Sequence, residues 1–312
     1  MKDKILGIHH ITAIAGDAQR NYDFYTKVLG LRLVKKTVNF DDPQTYHFYF
    51  GDETGNPGTI LTFFPWTHVK QGKIGAGMVT EINYTVPAGS LSYWTDRLKT
   101  FKVRHDTIVE RFGEKLLSFR DPDGLHLTFT EPAETDNRYG WPNADIDAGA
   151  TIKGFHSAVI TLNNIKETAE ILTDLFGYKF IVQENQLYRY KNINVEHAAF
   201  IDLLEAPDAQ QGINAGGTNH HIAFRVKDEE TLMAFREKIL RRGLYITEKI
   251  NRDYFFSLYF REPGGVLFEI ATDNPGFATD ETLETLGTAL QLPDRYKTIR
   301  DQIEKALPEI QM

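Results

Sequence analysis

The chain has 312 residues, 41% of them hydrophobic and 25% charged, an ordinary globular composition with enough length for two domains. A formal net charge of -8 argues against nucleic acid or an anionic membrane surface as the main partner. Without cysteine the chain can form neither disulfides nor thiolate metal sites, so any metal must be held by His, Asp, Glu or backbone oxygen. No apolar run reaches membrane-spanning length, and Met1-Lys2-Asp3-Lys4 leads into no signal-peptide core, so the expected location is cytoplasmic.

In chain order, Ile8-His9-His10-Ile11-Thr12-Ala13-Ile14 is a strand pattern. Asp17 can cap a helix with Tyr22, Tyr25, Val28 and Leu29 on its apolar side and Gly30 at its end. Strands follow over Leu31 to Phe40, Thr45 to Phe50 and Gly58 to Phe64. The order then repeats. Val79 to Val86 is a strand, Ser90 can cap a helix carrying Leu91, Trp94 and Leu98, and strands follow near Arg104–Arg111, Leu116–Arg120 and Leu125–Thr130. A stretch rich in Asp, Asn, Pro and Gly reaches to about Ala150 and is a candidate linker. A third unit starts at Gly154-Phe155-His156-Ser157, with a helix ending Leu175-Phe176-Gly177. A fourth starts at Thr218-Asn219-His220-His221, with a helix from about Glu229 to Leu240 that stops before Gly243.

The repeat can be measured. Gly7 and Gly154 lie 147 apart, as do Gly30 and Gly177, while Arg120-Asp121-Pro122-Asp123-Gly124 matches Arg261-Glu262-Pro263-Gly264-Gly265 at an offset of 141. Units one and three correspond, and so do units two and four. The division expected is an N-terminal pair of units over 1–131, a linker over 132–150, a C-terminal pair over 151–273 and a partly helical extension over 274–312. Four βαβββ units with this late turn resemble the vicinal-oxygen-chelate superfamily, which includes glyoxalase I, extradiol dioxygenases and fosfomycin-resistance enzymes. The resemblance implies an α+β fold in which paired units form cupped mixed sheets around a metal.

In the strand after the second of these turns, Val266, Phe268 and Ile270 form one apolar face and Glu269 points the other way. A carboxylate on the inner face of a sheet needs a cationic partner, which can be a metal ion or an Arg or Lys. Strand parity selects companions for it. In His220-His221-Ile222-Ala223-Phe224-Arg225-Val226 the apolar set is Ile222, Phe224 and Val226, so His221, Ala223 and Arg225 take the polar face. Tyr259 lies opposite Leu258 and Phe260. In the first strand His10 and Thr12 share a face, with His9, Ile11 and Ala13 opposite. His10, His221 and Glu269 then give two histidines and one carboxylate, the ligand set of non-haem Fe(II) oxygenases with positions left open. The remaining histidines, His47, His68, His105, His126, His156 and His197, are assigned to surface or core. The second pseudo-equivalent site would hold Ser157, Glu81 and Thr128 in place of His10, His221 and Glu269, a poor ligand set, so one metal per chain is expected.

A narrower resemblance follows from His9-His10-Ile11-Thr12, Tyr46-His47-Phe48-Tyr49-Phe50, Gly55-Asn56-Pro57-Gly58-Thr59, Ile201-Asp202-Leu203-Leu204, His220-His221, Pro263-Gly264-Gly265-Val266 and Gly276-Phe277-Ala278-Thr279-Asp280-Glu281. Over nearly the whole chain it resembles the hydroquinone-type ring-cleaving dioxygenases, such as 2,6-dichlorohydroquinone 1,2-dioxygenases. This resemblance implies metal ligation by His10, His221 and Glu269. It implies supporting or catalytic roles for His9, Thr12, His220, Arg252 and Tyr259, with His220 and Tyr259 moving protons and Arg252 holding an anionic intermediate or product. The implied cofactor is Fe(II), although the same set binds Mn(II), Zn(II) or Ni(II). The implied partners are a small para-diol aromatic and dioxygen, in aromatic or quinone degradation or detoxification, with assembly into a homo-oligomer left open. The alternatives are a glyoxalase-like isomerase or lyase, for which the first strand lacks the second Glu usual in that class, and a non-catalytic small-molecule binder.

Overall fold

A computed structural model of the chain describes residues 3–142 and 145–312; Met1-Lys2 and positions 143–144 of the linker lie outside the described residues. Four units follow one another. The first holds β1 (Ile8–Ala15), α1 (Ala18–Asp23, running into a π-helical turn Phe24–Val28), β2 (Arg32–Asn39), β3 (Asp42–Gly51) and β4 (Ile60–Pro65). The second holds β5 (Met78–Thr85), α2 (Leu91–Thr100), β6 (Val109–Arg111), β7 (Glu114–Arg120) and β8 (His126–Glu131). The third holds β9 (Gly154–Leu162), α3 (Lys166–Glu170, running into a π-helical turn Ile171–Leu175), β10 (Tyr178–Glu184), β11 (Leu187–Asn192) and β12 (Phe200–Glu205). The fourth holds β13 (Thr218–Val226), α4 (Glu229–Arg241), β14 (Ile250–Asn251), β15 (Phe255–Arg261) and β16 (Leu267–Pro275), and α5 (Arg300–Ala306) lies in the C-terminal extension. The same π-helical turn at the same place in units one and three marks them as copies.

The strands form two mixed eight-stranded sheets, ordered β14-β15-β16-β13-β1-β4-β3-β2 and β10-β11-β12-β9-β5-β8-β7-β6. Unit one therefore shares a sheet with unit four, and unit two with unit three; units one and two do not share a sheet, nor do units three and four. Each sheet curls until its two edges nearly meet. Arg252, just past edge strand β14, reaches Asp41, just past edge strand β2, at 3.7 Å. In the second sheet the Phe112 amide, past β6, donates to the Glu184 carboxylate at the end of β10, at 2.7 Å.

Alternation sets what faces the hollow. Phe268 and Ile270 are fully buried on the convex side, where each contributes roughly 1.5–3 kcal/mol of hydrophobic stabilisation. A one-residue slip of β16 would push Glu269 into that apolar layer, so the register is strongly fixed. The helices cover the convex faces: Tyr25 packs on Phe50 and Phe63, and Leu232, Phe235 and Ile239 of α4 are buried in the same core. Asp17 caps α1 as expected, accepting from the Arg20 amide at 2.7 Å. Ser90 does not cap α2. Its hydroxyl turns back to the Pro87 carbonyl, and Glu131 accepts from the Leu91 amide instead.

The C-terminal extension straps the edge of the first sheet. The Gln291 amide bonds to the Lys36 carbonyl of β2, and the fully buried Lys35 ammonium lies 2.5 Å from both Asp280 and Glu281. Arg295 and the Tyr296 hydroxyl both donate to the Phe40 carbonyl, at 2.6 and 2.7 Å, which fixes the β2–β3 turn at the mouth of the first hollow.

Candidate metal centre

His10, His221 and Glu269 come from three adjacent strands, β1, β13 and β16. Ala223 pairs in register with His10 on one side and Glu269 on the other, while His221 lies two residues back on the same face. The methyl group of Ala223 keeps the row open, so the longer side chains converge above it. Their ligand atoms all lie within 4.8 Å of one another and all three residues are buried. The Oε2 atom of Glu269 lies 3.2 Å from His10 Nε2 and 2.9 Å from His221 Nε2. Yet Glu269 Oε2 and His221 Nε2 have no aligned hydrogen-bond partner. Buried polar atoms of a native site are normally satisfied. Three lone-pair donors converging on one point, two of them without a partner, fit a divalent cation. No Arg or Lys contacts Glu269, so the ion-pair alternative left open by the sequence has no partner among the described residues.

The other nitrogen of His10 and of His221 is spoken for. His10 Nδ1 lies 2.9 Å from His9 Nδ1, and His221 Nδ1 lies 2.7 Å from His220 Nδ1. His9 Nε2 faces the Thr272 carbonyl at 3.1 Å, so it must be the N–H end of that ring. His9 Nδ1 is then an acceptor, His10 Nδ1 a donor, and His10 Nε2 a free lone pair. A metal at His221 Nε2 would need that lone pair free, which puts the His221 proton on Nδ1, makes His220 Nδ1 its acceptor and leaves the proton of His220 on Nε2. Burial pushes His220 down to about 3 and His9 well below the ordinary imidazole range, so both are neutral near pH 7. Burial also pushes the Glu269 carboxyl up, but His10 and His221 outweigh it and hold the group well below the usual carboxylate range.

Parity alone sends His9 and His220 to the convex face, and here the structure differs. The β1–β13 ladder skips one residue at His9 and another at His220, so both sit at β-bulges that turn them beside their neighbours. His47 is a second correction. Expected at the surface or in the core, it lines the cavity of about 290 Å³ beside the ligand histidines, together with Tyr49, Phe64, Trp66, His220, Arg252, Phe255 and Tyr259. That volume is at the lower end for small-molecule sites and suits a single substituted ring. Tyr259 pairs in register with Glu269, its hydroxyl accepts from Arg252 Nε at 3.2 Å, and burial keeps the phenol protonated. Thr12 does not line the cavity; it is buried, pairs in register with His221, and its hydroxyl lies 2.9 Å from that of Thr62.

The second hollow is built alike but filled differently. Glu81 is bonded by the Arg111 guanidinium at 2.9 and 3.3 Å and by the Thr128 hydroxyl at 3.1 Å. Ser157 donates to Asp202, and Arg189 bridges Asp202 and Glu114, which also meets His156 at 3.0 Å. A cavity of about 450 Å³ lies there, larger than the one at Glu269, but its charged groups are bonded to one another.

Comparison with known proteins agrees with this architecture. The family model for the glyoxalase/bleomycin resistance protein/dioxygenase superfamily matches residues 7–129 and 154–270. The "Putative ring-cleaving dioxygenase MhqO" of Bacillus subtilis is 46% identical over 307 residues, 98% of this chain and 97% of that protein. The chlorohydroquinone/hydroquinone 1,2-dioxygenase of Sphingobium indicum is 35% identical over 98% of this chain and 97% of its own length. A crystal structure of a "putative dioxygenase" from Bacillus subtilis superposes with a TM-score of 0.95 at 45% identity, covering 99% of this chain and 98% of that one. The fold, the repeated units and these full-length relatives place the chain in the glyoxalase/bleomycin resistance protein/dioxygenase superfamily.

Proposed function

We propose that the protein is a non-haem Fe(II)-dependent dioxygenase that opens the ring of hydroquinone-type para-diols. The observation that carries this reading is the convergence of ligand atoms from His10, His221 and Glu269 at the end of a ring-sized cavity, with His221 Nε2 and Glu269 Oε2 unpartnered. The kinship with ring-cleaving dioxygenases supports it. Fe(II) bound there would supply open coordination positions for a substrate oxygen and dioxygen and the redox chemistry between them.

The chain's own residues do the rest. His9 and His220 fix the ligand rings by accepting their Nδ1 protons. His220 presents its Nε2–H on the cavity wall and is the proton donor of this reading. Tyr259 keeps its phenolic proton and takes the Arg252 N–H on its oxygen, so it can donate into the cavity. Arg252 places a fixed positive charge at the mouth, suited to an anionic intermediate or a carboxylate product. Thr12 orders the inner end next to His221. Phe64, Trp66 and Phe255 supply flat apolar walls and exclude water.

The test is oxygen uptake by the anaerobically Fe(II)-reconstituted protein on adding hydroquinone, with a parallel assay for isomerisation of a thiol hemithioacetal. Uptake without isomerisation supports the proposal. Isomerisation without uptake would move the protein to the glyoxalase class.

A further inference from the structure

We propose that His47 is a positioning residue for this reaction, setting the direction of a hydrogen-bond chain, Tyr49–His47–Thr62–Thr12, that ends beside the ligand histidines. The inference rests on the ring-cleavage reading above and deepens it toward substrate class.

Three links make the chain. Tyr49 Oη lies 2.9 Å from His47 Nδ1, His47 Nε2 lies 2.9 Å from Thr62 Oγ1, and Thr62 Oγ1 lies 2.9 Å from Thr12 Oγ1. The groups stand on adjacent strands β3, β4 and β1, and Tyr49 and Thr12 both pair in register with Thr62. Tyr49, Thr62 and Thr12 are at most 1% exposed, so water does not compete for these bonds. The His47 ring also packs, tilted, against Tyr49 and Phe64, with ring centroids 4.1 and 4.4 Å away, which restricts its rotation.

A neutral imidazole has one N–H and one lone pair, so the chain has only two directions. In one, Tyr49 donates to His47, His47 to Thr62 and Thr62 to Thr12, and the buried Thr12 proton is left without an acceptor in the chain. In the other, the Thr12 proton is used on Thr62, and the Tyr49 proton is left for the cavity. Burial holds His47 well below the ordinary imidazole range, so the doubly protonated ring that would break the chain is disfavoured. Thr12 does not line the cavity and Tyr49 does, so the second direction, in which each buried hydroxyl donates along the chain, is the one that serves a ligand, with the Tyr49 O–H on the cavity wall. A donor there suits the second oxygen of a para-diol whose first oxygen is held at the histidines. A catechol, with both oxygens on one side of the ring, leaves that donor unused.

Thr62 gives the cleanest test, because it touches neither ligands nor cavity contents. Thr62→Val removes the middle hydroxyl at nearly constant volume, and Thr62→Ser retains it. Two readouts are taken on the full-length, metal-loaded protein. One is kcat and KM for hydroquinone by oxygen uptake; the other is the ionisation of 4-nitrophenol bound under anaerobic conditions, followed by its phenolate absorption. Thr62→Val is expected to keep its metal, lose about tenfold in kcat with a smaller change in KM, and raise the bound phenol's apparent pKa by about one unit. Thr62→Ser should restore both. Wild-type values in Thr62→Val, or equal damage in Thr62→Ser, would overturn the proposal, the latter by showing a packing effect. If wild type consumes no oxygen with any diol, the ring-cleavage reading fails, and the 4-nitrophenol shift alone decides for or against the chain. If Thr62→Val does not fold or load, Tyr49→Phe replaces it: a lower kcat together with a raised phenol pKa supports the chain, and no change in either refutes it.

Discussion

Replacing Glu269 with Gln removes a charge while keeping the side-chain shape, and its effect can be worked from the site. Glu269 is fully buried. Its Oε1 is held by the Ser257 hydroxyl, and its Oε2 faces His10 and His221 without an aligned donor. In the metal-free protein His10 and His221 hold this carboxylate ionised against the cost of burial. A divalent ion at a hundred times its Kd adds about 2.7 kcal/mol to the wild-type protein. At about 2–4 °C per kcal/mol for domains of 150–250 residues, the midpoint should rise by roughly 5–11 °C on adding metal. In Glu269→Gln that rise should fall below about 2 °C, a stabilisation under about 1 kcal/mol on the same scale. The metal-free variant should be less stable than metal-free wild type by about 1–3 kcal/mol, since it loses the charge that His10 and His221 hold and weakens the Ser257 bond. Thermal unfolding with and without chelator, beside elemental analysis, reads both quantities. A variant that keeps one equivalent of metal and the full metal-induced rise would refute the ligand assignment.

Tyr259→Phe and His220→Ala should each retain one equivalent of metal and lose most turnover, about 10²-fold or more; full activity in both would remove their proton roles. In the second hollow, Glu81→Gln should leave metal stoichiometry unchanged, and Arg111→Ala should destabilise the fold by about 1–3 kcal/mol by removing the cation paired with Glu81, as read by denaturant titration. The pH dependence follows from His9, His47 and His220, which burial keeps neutral in the fold and which can charge when unfolded. A depressed base stabilises fully above its unfolded pKa, and that stability is lost as pH falls. Below about pH 6.5 each such group removes up to about 1.4 kcal/mol per pH unit, so in chelator the denaturant midpoint should drop between pH 7 and pH 5.5. A flat or rising midpoint would mean that these rings are charged in the folded protein.

Much of the site could be read from alternation. Glu269, His221 and Tyr259 each oppose a clearly apolar set, and those strands are regular enough for period two to hold. What alternation could not show were the two bulges, because one extra residue in a ladder leaves no mark in composition. His9 and His220 therefore stand beside the ligands rather than across the sheet from them. His47 was legible in principle. In Thr45 to Phe50, Tyr46 stacks on Phe48 and Phe48 meets Phe50 on the core side, leaving His47 and Tyr49 for the hollow by the same test that placed His221. Ala223 mattered by being small, a role visible only once its neighbours in register were known. The offsets of 147 and 141 showed the duplication. That unit one closes a sheet with unit four depends on pairing between residues more than 200 positions apart, such as His10 with Ala223, which local pattern does not encode.

The central claim is that this cavity opens para-diols with dioxygen. The direct measurement is kcat/KM for hydroquinone and for catechol by oxygen electrode, on protein reconstituted anaerobically with Fe(II), with the ring-opened product quantified against oxygen consumed. The account predicts one dioxygen per ring opened and a clear preference for hydroquinone, lost in Glu269→Gln. Better turnover of catechol, or oxygen uptake that leaves the ring intact, would contradict it.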